Sequence, residues 1–350
     1  MTNPDPARLS ARRLPGINRK GITLFSDGGP AVTSSSPSGG VLPLVVQPAI
    51  NGTDLSVWAA GHQPFIAENL LKHGGLLFRG FAVEAEKDFE RFLGTVSPAM
   101  MNYIEGATPR TRLSDKVYTS TEYSSDQVIA LHNELSYVTR WPMKIWFFCA
   151  QPAEQEGETP IADVRNVYKL LDPHIVRKFV EKGWMLVRNF GEGLSLSWQT
   201  SFHLNSRQEI ADYCRQADID FEWRGNDRLQ TRQVRSAVAR HPQTHEIVWF
   251  NHVAFWHISS LEPKVREAML DTFPEEDVPY NTYYGDGSRI EGAVAEEIRQ
   301  AYEAEKVKFA WQQGDVLMLD NMLVAHGRSR YRGQRRILVG MGDPCSDRGV

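Results

Sequence analysis

The sequence predicts an α+β protein with a mainly β core and a helical cover. Segments with the alternating or continuously apolar pattern of strands outnumber those with helical periodicity. The helical segments collect in the first third of the chain and in inserts, and no internal repeat is present. Elements distributed in this way favour one β-rich core over two separate domains.

The first forty residues differ in composition from the rest of the chain. Residues 33–40 read Thr-Ser-Ser-Ser-Pro-Ser-Gly-Gly, which is typical of loops and linkers. We therefore expect a flexible N-terminal arm over 1–40 and a single domain over 41–350. A chain of 350 residues is long enough for one large enzyme domain.

Helical and extended segments follow each other along the predicted domain. Helices are predicted at 54–73, 84–93, 166–182, 206–216 and 291–306, where apolar residues recur at helical spacing. Strands are predicted at 41–46, 76–81, 143–150, 157–163, 184–190, 232–239, 246–250, 314–320 and 337–341. The stretch 100–128 is polar and irregular, and so long a loop is usually functional or disordered. We expect this stretch to form a lid over a functional site built from the residues that follow it.

Composition excludes several classes of protein. The formal charge is −4 with no basic block, which argues against nucleic-acid binding. The three cysteines are far apart, so we expect neither a disulfide framework nor a cysteine-rich zinc site, and a reducing cytoplasm fits. No apolar run is long enough to form a membrane-spanning helix, so we expect no transmembrane segment. The polar start of the chain predicts no secretory signal.

A short stretch, Leu131-His132-Asn133-Glu134, carries a candidate metal site. His132 and Glu134 would point to the same face of a strand, so both could reach one ion. His326 is the best candidate for a third ligand. Two histidines and one carboxylate, with the other positions open, form the non-haem Fe(II) oxygenase arrangement. A His-x-Glu pair alone is common, so this assignment depends on the motifs that accompany it.

Those motifs follow in a specific order across about two hundred residues. They are His132-x-Glu134, Gly157-Glu158-Thr159, Gly314-Asp315-Val316, Asp320-Asn321, His326-Gly327-Arg328 and Gln334-Arg335-Arg336. Together they resemble the taurine dioxygenase/clavaminate synthase-like (TauD/TfdA) family of Fe(II)- and 2-oxoglutarate-dependent oxygenases, over residues 40–344. Within that family the chain is most similar to amino-acid hydroxylases of the syringomycin-biosynthesis type. The resemblance implies a double-stranded β-helix (jelly-roll) with helical cover and an insert between the two halves of the metal site.

The resemblance also implies the cofactors, which are Fe(II), 2-oxoglutarate as co-substrate and O2. It assigns His132, Glu134 and His326 as catalytic metal ligands. Many family members have aspartate where Glu134 stands, and related halogenases have a small residue that leaves room for chloride. Glu134 therefore favours hydroxylation or desaturation over halogenation.

In the family, an arginine and a threonine bind the distal carboxylate of 2-oxoglutarate. Arg336 and Thr159 match these positions, and a guanidinium suits the task because it can form a bidentate pair. Arg335 is the alternative, since neighbours on a strand face opposite ways and the register is not known. A second family arginine, four residues later, is absent because Gly340 stands there.

Substrate-contacting residues are harder to predict. Candidates are Asn251, His252, Tyr137 and Arg140, with Arg110 and Arg112 on the expected lid and Trp198 near a possible pocket wall. The alternatives are a packed aromatic cluster for His252 and a solvated surface position for each arginine. His241 and His245 superficially suggest a zinc site, but Pro242 places them in a turn and not on the helix that such a motif requires.

The function that the resemblance implies is 2-oxoglutarate-dependent hydroxylation of an unactivated C–H bond of an amino acid. We expect reaction at the β-carbon, on an amino acid bound to a peptidyl carrier protein or within a peptide, in nonribosomal peptide or antibiotic biosynthesis. The alternatives are a hydroxylase or desaturase of a free amino acid or small organic acid, and a catalytically inactive cupin-like binding module. Retention of the three ligands, Thr159 and Arg336 argues against the inactive module.

Overall fold

A computed structural model describes residues 32–35, 42–101, 105, 113–114, 117–120, 123–191, 195–225 and 227–346. Within these residues the helices are α1 (Leu55–Gly61), α2 (Gln63–His73), α3 (Glu86–Val96), α4 (Val164–Leu170), α5 (Pro173–Lys182), α6 (Trp198–Phe202), α7 (Arg207–Gln216), α8 (Val253–Trp256), α9 (Pro263–Thr272) and α10 (Gly292–Ala304). None of these helices is long and apolar enough to cross a membrane.

Strands form the centre of the molecule. They are β1 (Val32–Ser35), β2 (Leu44–Pro48), β3 (Gly75–Phe78), β4 (Tyr118–Thr119), β5 (Ile129–His132), β6 (Trp141–Gln151), β7 (Gln155–Glu156), β8 (Ile161–Asp163), β9 (Trp184–Phe190), β10 (Asp220–Arg224), β11 (Arg228–Arg235), β12 (Val238–Arg240), β13 (Ile247–Trp249), β14 (Tyr280–Tyr284), β15 (Val316–Asp320), β16 (Val324–Arg328), β17 (Tyr331–Arg332) and β18 (Arg336–Cys345).

The core consists of a large and a small sheet. Seven strands form the large sheet in the order β1-β2-β3-β15-β6-β18-β4, and three form the small sheet in the order β5-β16-β8. Side chains of β6 alternate between two apolar clusters: Ile145 and Phe147 pack in the cluster that includes the small sheet, whereas Trp146 and Phe148 pack with α1–α3. Both faces of the large sheet are therefore buried, as the predicted jelly-roll with helical cover requires.

One ion pair fixes the first part of the chain against the last strands. Arg79, which follows β3, binds Asp315 ahead of β15 at 2.6 Å, and its guanidinium also donates to the carbonyl of Ala310. Asp315 is buried, and it accepts the backbone amide of Gln312 as well. The Gly314-Asp315-Val316 motif and the end of the predicted strand 76–81 thus help to hold β3 next to β15.

A long insert separates the two halves of the candidate site. Between β8 and β15 the chain forms α4–α10, a four-stranded sheet with the order β10-β11-β9-β14, and the hairpin β12-β13. A separate apolar cluster joins this second sheet to α6 and α7, and Trp198 belongs to it. The predicted insert is confirmed, and Trp198 packs there as a core residue.

Two predicted helices are each divided in the structure. The segment 54–73 forms α1 and α2 with a break at His62, and 166–182 forms α4 and α5 with a break at Asp172. Pro64 is the second residue of α2, and Pro173 is the first residue of α5. Proline has no amide proton for the preceding turn, so it is tolerated in a first turn and interrupts a continuous helix.

Two boundaries also differ from the prediction. Residues 232–239 are not one strand, because Arg232 to Arg235 belong to β11 of the second sheet and only β12 pairs with β13. Val32–Ser35, inside the predicted arm over 1–40, pairs with β2 as an edge strand. The arm prediction is therefore wrong for these four residues, whose backbone groups find a partner in the sheet. The remainder of 1–40 lies outside the described residues.

Candidate metal and co-substrate site

Strand register brings the two candidate histidine ligands together. β16 is the middle strand of the small sheet, and its His326 lies directly opposite His132 on β5 and Ile161 on β8. Opposed residues of antiparallel strands have Cβ atoms about 4.5–5.5 Å apart, and the two imidazole centroids are 4.5 Å apart. Residues nearly two hundred positions apart in the chain are thus neighbours.

Glu134 reaches the histidines from a turn and not from a strand. β5 ends at His132, and the next residues form a turn in which Leu135 has a φ of 54°. The expectation that strand alternation aligns His132 with Glu134 is therefore wrong, although the two side chains do converge. One ligand atom from each of His132, Glu134 and His326 lies within 4.8 Å of the others.

The chemistry of this cluster fits a metal ion. The Nδ1 of His132 lies 2.9 Å from the carbonyl of Ala130, which can only accept, so Nδ1 carries the proton and Nε2 is the nitrogen that would bind a metal. The Nε2 of His326 lies 3.7 Å from Oε2 of Glu134, too far for a hydrogen bond. Ligand atoms about 2 Å from one shared ion stand roughly 3–4 Å apart. Two histidines and one carboxylate in this arrangement fit iron with open positions.

A narrow pocket next to the cluster has the groups needed for an anionic co-substrate. It is lined by Ser120, Ile129, His132, Phe147, Thr159, His326, Gly327, Arg328, Arg335, Ile337 and Val339. The Nε of Arg335 donates to the carbonyl of Gly157 at 2.9 Å, and its terminal nitrogens bind no other group in the described part of the chain. Trp311 donates to Thr159 Oγ1 at 3.1 Å, which leaves the threonine proton available.

The electrostatics of this pocket favour a carboxylate. Burial lowers the pKa of Arg335 to about 10, and the neighbouring guanidinium of Arg328 acts in the same direction. Arg335 nevertheless stays protonated at neutral pH. Two cations in one partly buried pocket repel each other, and a bound anion relieves that repulsion.

Arg336, the residue favoured from sequence for the co-substrate, does not face this pocket. It is exposed and forms an ion pair with Glu86 at the start of α3. Ile337 and Val339 line the pocket, and alternation places Arg335 on their side and Arg336 on the side of Leu338. This geometry argues against Arg336 and favours the alternative, Arg335, as the arginine for the co-substrate. If Arg335 is the family's first arginine, the position of the second, four residues later, is Val339, so the second arginine is absent in this case too.

Two of the predicted substrate residues lie beside the metal cluster. His252 is buried, with its ring centroid 5.4 Å from His132 and 5.0 Å from Tyr137. Its Nδ1 lies 2.7 Å from Oγ of Ser136, while its Nε2 has no partner among the described residues. Burial, followed by the charge of His132, lowers the pKa of His252 well below its usual value, so its ring is neutral. Tyr137 and His252 thus form an aromatic wall of the site.

The other substrate candidates are not part of this wall. The amide of Asn251 is used by the main chain: it donates to Ala237 and accepts from Val253, which starts α8. Arg140 is exposed and borders a different pocket of about 500 Å³, with Met101 and Tyr213 among its lining. Arg110 and Arg112 lie outside the described residues, as does much of the expected lid.

The structure gives His241 a structural role. Its Nδ1 accepts the amides of Gln243 and Thr244, so Nε2 carries the proton and donates to Asp320 at 3.0 Å. Both ring nitrogens are therefore in use, and His245 is exposed on the turn. This agrees with the expectation that the pair forms no zinc site.

Three polar residues near the site belong to the sequence motifs, but the sequence alone predicts no role for them. Asn133 and Asn321 are fully buried and bind each other's segments. Arg328 is also buried, and it donates to the carbonyls of Tyr123, Ser124 and Gln127, ahead of β5. The signal that could have found them is a polar residue inside an otherwise apolar motif.

Comparison with known proteins shows the family of the chain and supports its fold. A family model described as "Taurine catabolism dioxygenase TauD, TfdA family" matches residues 37–341. The dapdiamide synthesis protein DdaC of Enterobacter agglomerans is 40% identical over 283 residues, covering 81% of this chain and 86% of that protein. A clavaminate synthase-like protein of Arabidopsis thaliana is 27% identical over 286 residues, covering 78% and 82%. The crystal structure of PvcB from Pseudomonas aeruginosa superposes with a TM-score of 0.55 at 16% identity, covering 92% and 95%.

Proposed function

The chain belongs to the TauD/TfdA family of Fe(II)- and 2-oxoglutarate-dependent dioxygenases, and on that premise we propose that it hydroxylates an amino acid in natural-product biosynthesis. The target is an unactivated C–H bond, at the β-carbon. The amino acid is carried on a peptidyl carrier protein or lies within a peptide. One oxygen atom of O2 enters the substrate and the other enters succinate, while 2-oxoglutarate loses CO2.

One observation carries the proposal. His132 and His326 line the same pocket as Thr159 and Arg335, so a ligand of the metal can extend to the guanidinium without leaving the pocket. 2-Oxoglutarate has this form, with a 2-oxo acid end for the metal and a distal carboxylate for Arg335. A carboxylate that meets a guanidinium and a hydroxyl away from water is bound by charge-assisted hydrogen bonds.

Each residue has a role in the proposed reaction. His132, Glu134 and His326 hold the iron, which supplies the oxidising chemistry when O2 and the co-substrate are bound. Arg335 and Thr159 orient the co-substrate through its distal carboxylate. Apolar lining residues, among them Phe147 and Ile337, exclude water from that carboxylate and so strengthen its pairing with Arg335. Glu134 occupies a coordination position and thereby supports hydroxylation over halogenation.

On the substrate side, we propose that His252 and Tyr137 contact the amino-acid portion. His252 lies beside His132 with an open Nε2 on its neutral ring, and Tyr137 packs against His252. Support for a biosynthetic substrate comes from the 40% identity to a protein named for dapdiamide synthesis. A cytoplasmic location is supported by the three cysteines, none of which forms a disulfide within the described residues.

A substrate screen tests this function. The purified enzyme, supplied with Fe(II), 2-oxoglutarate and O2, is incubated with free amino acids and with the same amino acids loaded on carrier proteins. Mass spectrometry then detects the gain of one oxygen atom, and succinate is measured in parallel. We expect oxygen to be added to carrier-bound substrates only. The matched control, Glu134→Ala, should give neither product nor coupled succinate.

Other outcomes decide between the alternatives. Oxygen added to free amino acids alone overturns the carrier-bound proposal and favours a small-molecule hydroxylase. Loss of two hydrogens in place of the gained oxygen identifies a desaturase. If substrate-dependent succinate formation is absent for every substrate tried, the chain is a binding module and the proposal is wrong.

A further inference from the structure

A reciprocal pair of buried asparagines joins the two segments that carry the candidate metal ligands. The Nδ2 of Asn133 donates to the main-chain carbonyl of Asn321 at 2.7 Å. In return, Oδ1 of Asn321 accepts the amide of Glu134 at 2.7 Å, and its Nδ2 donates to the carbonyls of Glu134 and Pro142 at 2.9 and 2.8 Å. Both side chains are fully buried. We call these four hydrogen bonds the amide clamp.

The turn that carries Glu134 depends on this clamp because it lies outside the strand ladder. β5 ends at His132, and the pairing of β5 with β16 reaches no further than the His132–His326 pair. The next residue after Glu134, Leu135, has a positive φ that is unfavourable for a leucine. Asn321 binds both the amide and the carbonyl of Glu134, which fixes the two peptide units on either side of the Glu134 Cα.

Asn321 is itself fixed by its neighbours. Oδ1 of Asp320 accepts the amides of Met322 and Leu323, and Oδ2 accepts from His241. The turn between β15 and β16 is therefore ordered independently of the metal-bearing loop. It presents Asn321 on one side and leads, five residues later, to His326.

We propose that Asn321 is a positioning residue that holds the carboxylate of Glu134 at the distance from His326 which the metal requires. This inference rests on the proposed function, because it takes Glu134 and His326 as ligands. Asn321 does not touch the metal or the substrate. It acts through the main chain of Glu134, and Asn133 completes the clamp from the other side.

Metal binding by the metal-free protein tests the proposal without any need for a substrate. The dissociation constant of Mn(II) is measured by calorimetry, and the visible spectrum of bound Co(II) reports ligand geometry. We expect Asn321→Ala to raise the Mn(II) dissociation constant by about 10–100-fold, the usual effect of removing a partner of a metal ligand. The Co(II) spectrum should change in shape, since the carboxylate is no longer oriented.

A matched control separates positioning from general loss of stability. Asn281 is also a buried asparagine whose Oδ1 accepts two main-chain amides, those of Ile258 and Thr282, but it lies on β14 in the insert. Asn281→Ala should lower the melting temperature and leave the Mn(II) dissociation constant unchanged. If Asn321→Ala fails to fold, Asn133→Ala, which removes one bond of the clamp, should give a smaller rise in the same constant.

Two results would overturn the inference and can be told apart. If His326→Ala abolishes Mn(II) binding but the folded Asn321→Ala and Asn133→Ala proteins bind it as the parent does, the clamp has no positioning role. If His326→Ala itself binds Mn(II) like the parent, the ligand assignment is wrong, and the proposed function fails together with the clamp.

Discussion

Arg335 and Arg336 are adjacent residues with opposite environments. The first lines the co-substrate pocket, and the second is paired with Glu86 at the surface. The order of motifs in the sequence narrows the candidates to this pair but cannot select one of them. The choice depends on strand register, and the pairing of β18 with β6 shifts between Arg336 and Ile337. Such irregularities leave no mark in a sequence read alone.

Substitution of each arginine gives a direct test. Arg335→Gln should raise the KM for 2-oxoglutarate about 10–100-fold, because it removes hydrogen bonds to a charged group, worth roughly 1.5–3 kcal/mol. We expect this substitution to change kcat, measured at saturating 2-oxoglutarate, by a smaller factor than KM. Arg336→Gln is the matched control and should leave the KM near that of the parent. Steady-state kinetics with varied 2-oxoglutarate would refute the assignment if the two variants exchanged their effects.

Thr159 should contribute less than Arg335, because it supplies one neutral hydroxyl. Thr159→Val keeps the volume and removes the hydrogen bond, so the KM for 2-oxoglutarate should rise about 2–10-fold, corresponding to about 0.5–1.5 kcal/mol. Thr159→Ser retains the hydroxyl and should behave more like the parent. An equal rise for both variants would mean that packing beneath Trp311, and not the hydroxyl, matters at this position.

The close approach of strand β16 to β5 requires a glycine at position 327. A Cβ built on Gly327 would lie 2.6 Å from the carbonyl oxygen of Ile129 on β5, closer than real contacts allow. Gly327→Ala should therefore push the two strands apart beside His326 and His132. We expect a loss of about 1–3 kcal/mol in the free energy of unfolding and weaker Mn(II) binding.

Urea unfolding and calorimetry check this prediction. Gly292→Ala is a suitable control, because a Cβ at this first residue of α10 meets no atom within 4 Å. That change should be neutral or slightly stabilising, since alanine favours the helix. If Gly327→Ala were equally neutral and bound metal normally, β5 would not need the close approach seen here.

The insert is connected to the turn after β5 through a buried residue, Glu105. Tyr213 on α7 donates to the carboxyl of Glu105, while Tyr137 donates to its main-chain carbonyl. Burial raises the pKa of Glu105 above its ordinary value of 4.5, although the hydrogen bond from Tyr213 and the charges of Arg188 and Arg235 lower it. The folded state therefore holds the proton more tightly than the unfolded state does.

This shift makes stability depend on pH with a defined sign. The contribution of Glu105 is fully present below the unfolded pKa and is lost as pH rises through the higher folded pKa. Relative to Glu105→Gln, which cannot ionise, the parent protein should lose stability as pH increases from about 4.5. Unfolding in urea across that range measures the difference, and a difference that grew in favour of the parent at high pH would contradict the pKa direction.

The sequence predicted the central strands better than the elements of the insert. β6, β15 and β18 are buried on both faces, and continuous apolar runs mark them clearly. β10 mixes exposed and half-buried residues, and α8 has only four residues, so neither produces a distinct period. The residues of the site that belong to family motifs could be predicted. The role of Asn321 and the turn at Glu134 could not, because both depend on contacts between segments that are distant in the chain.

For the whole molecule, ligand binding and stability should be linked. A ligand that binds only the folded state at 100 times its dissociation constant stabilises it by about 2.7 kcal/mol. Mn(II) should therefore raise the melting temperature of the metal-free protein, and 2-oxoglutarate should raise it further only when Mn(II) is present. His326→Ala should lose both effects, whereas Arg335→Gln should lose only the second at the same concentrations. Calorimetric scans that showed 2-oxoglutarate acting without metal would contradict a shared site.

The amide clamp also bears on the stage of folding at which the metal ligands can come together. It joins residues that are 188 positions apart, and β16, which pairs with β5 and carries His326, follows the whole insert in the chain. A nascent chain without its last strands has the candidate ligands His132 and Glu134 but lacks the third, His326. Iron therefore cannot guide its early folding in the way that zinc guides the folding of a small zinc-finger domain. We therefore expect the metal to enter a folded protein, so that a chelator can remove it and fresh metal can replace it without unfolding the chain.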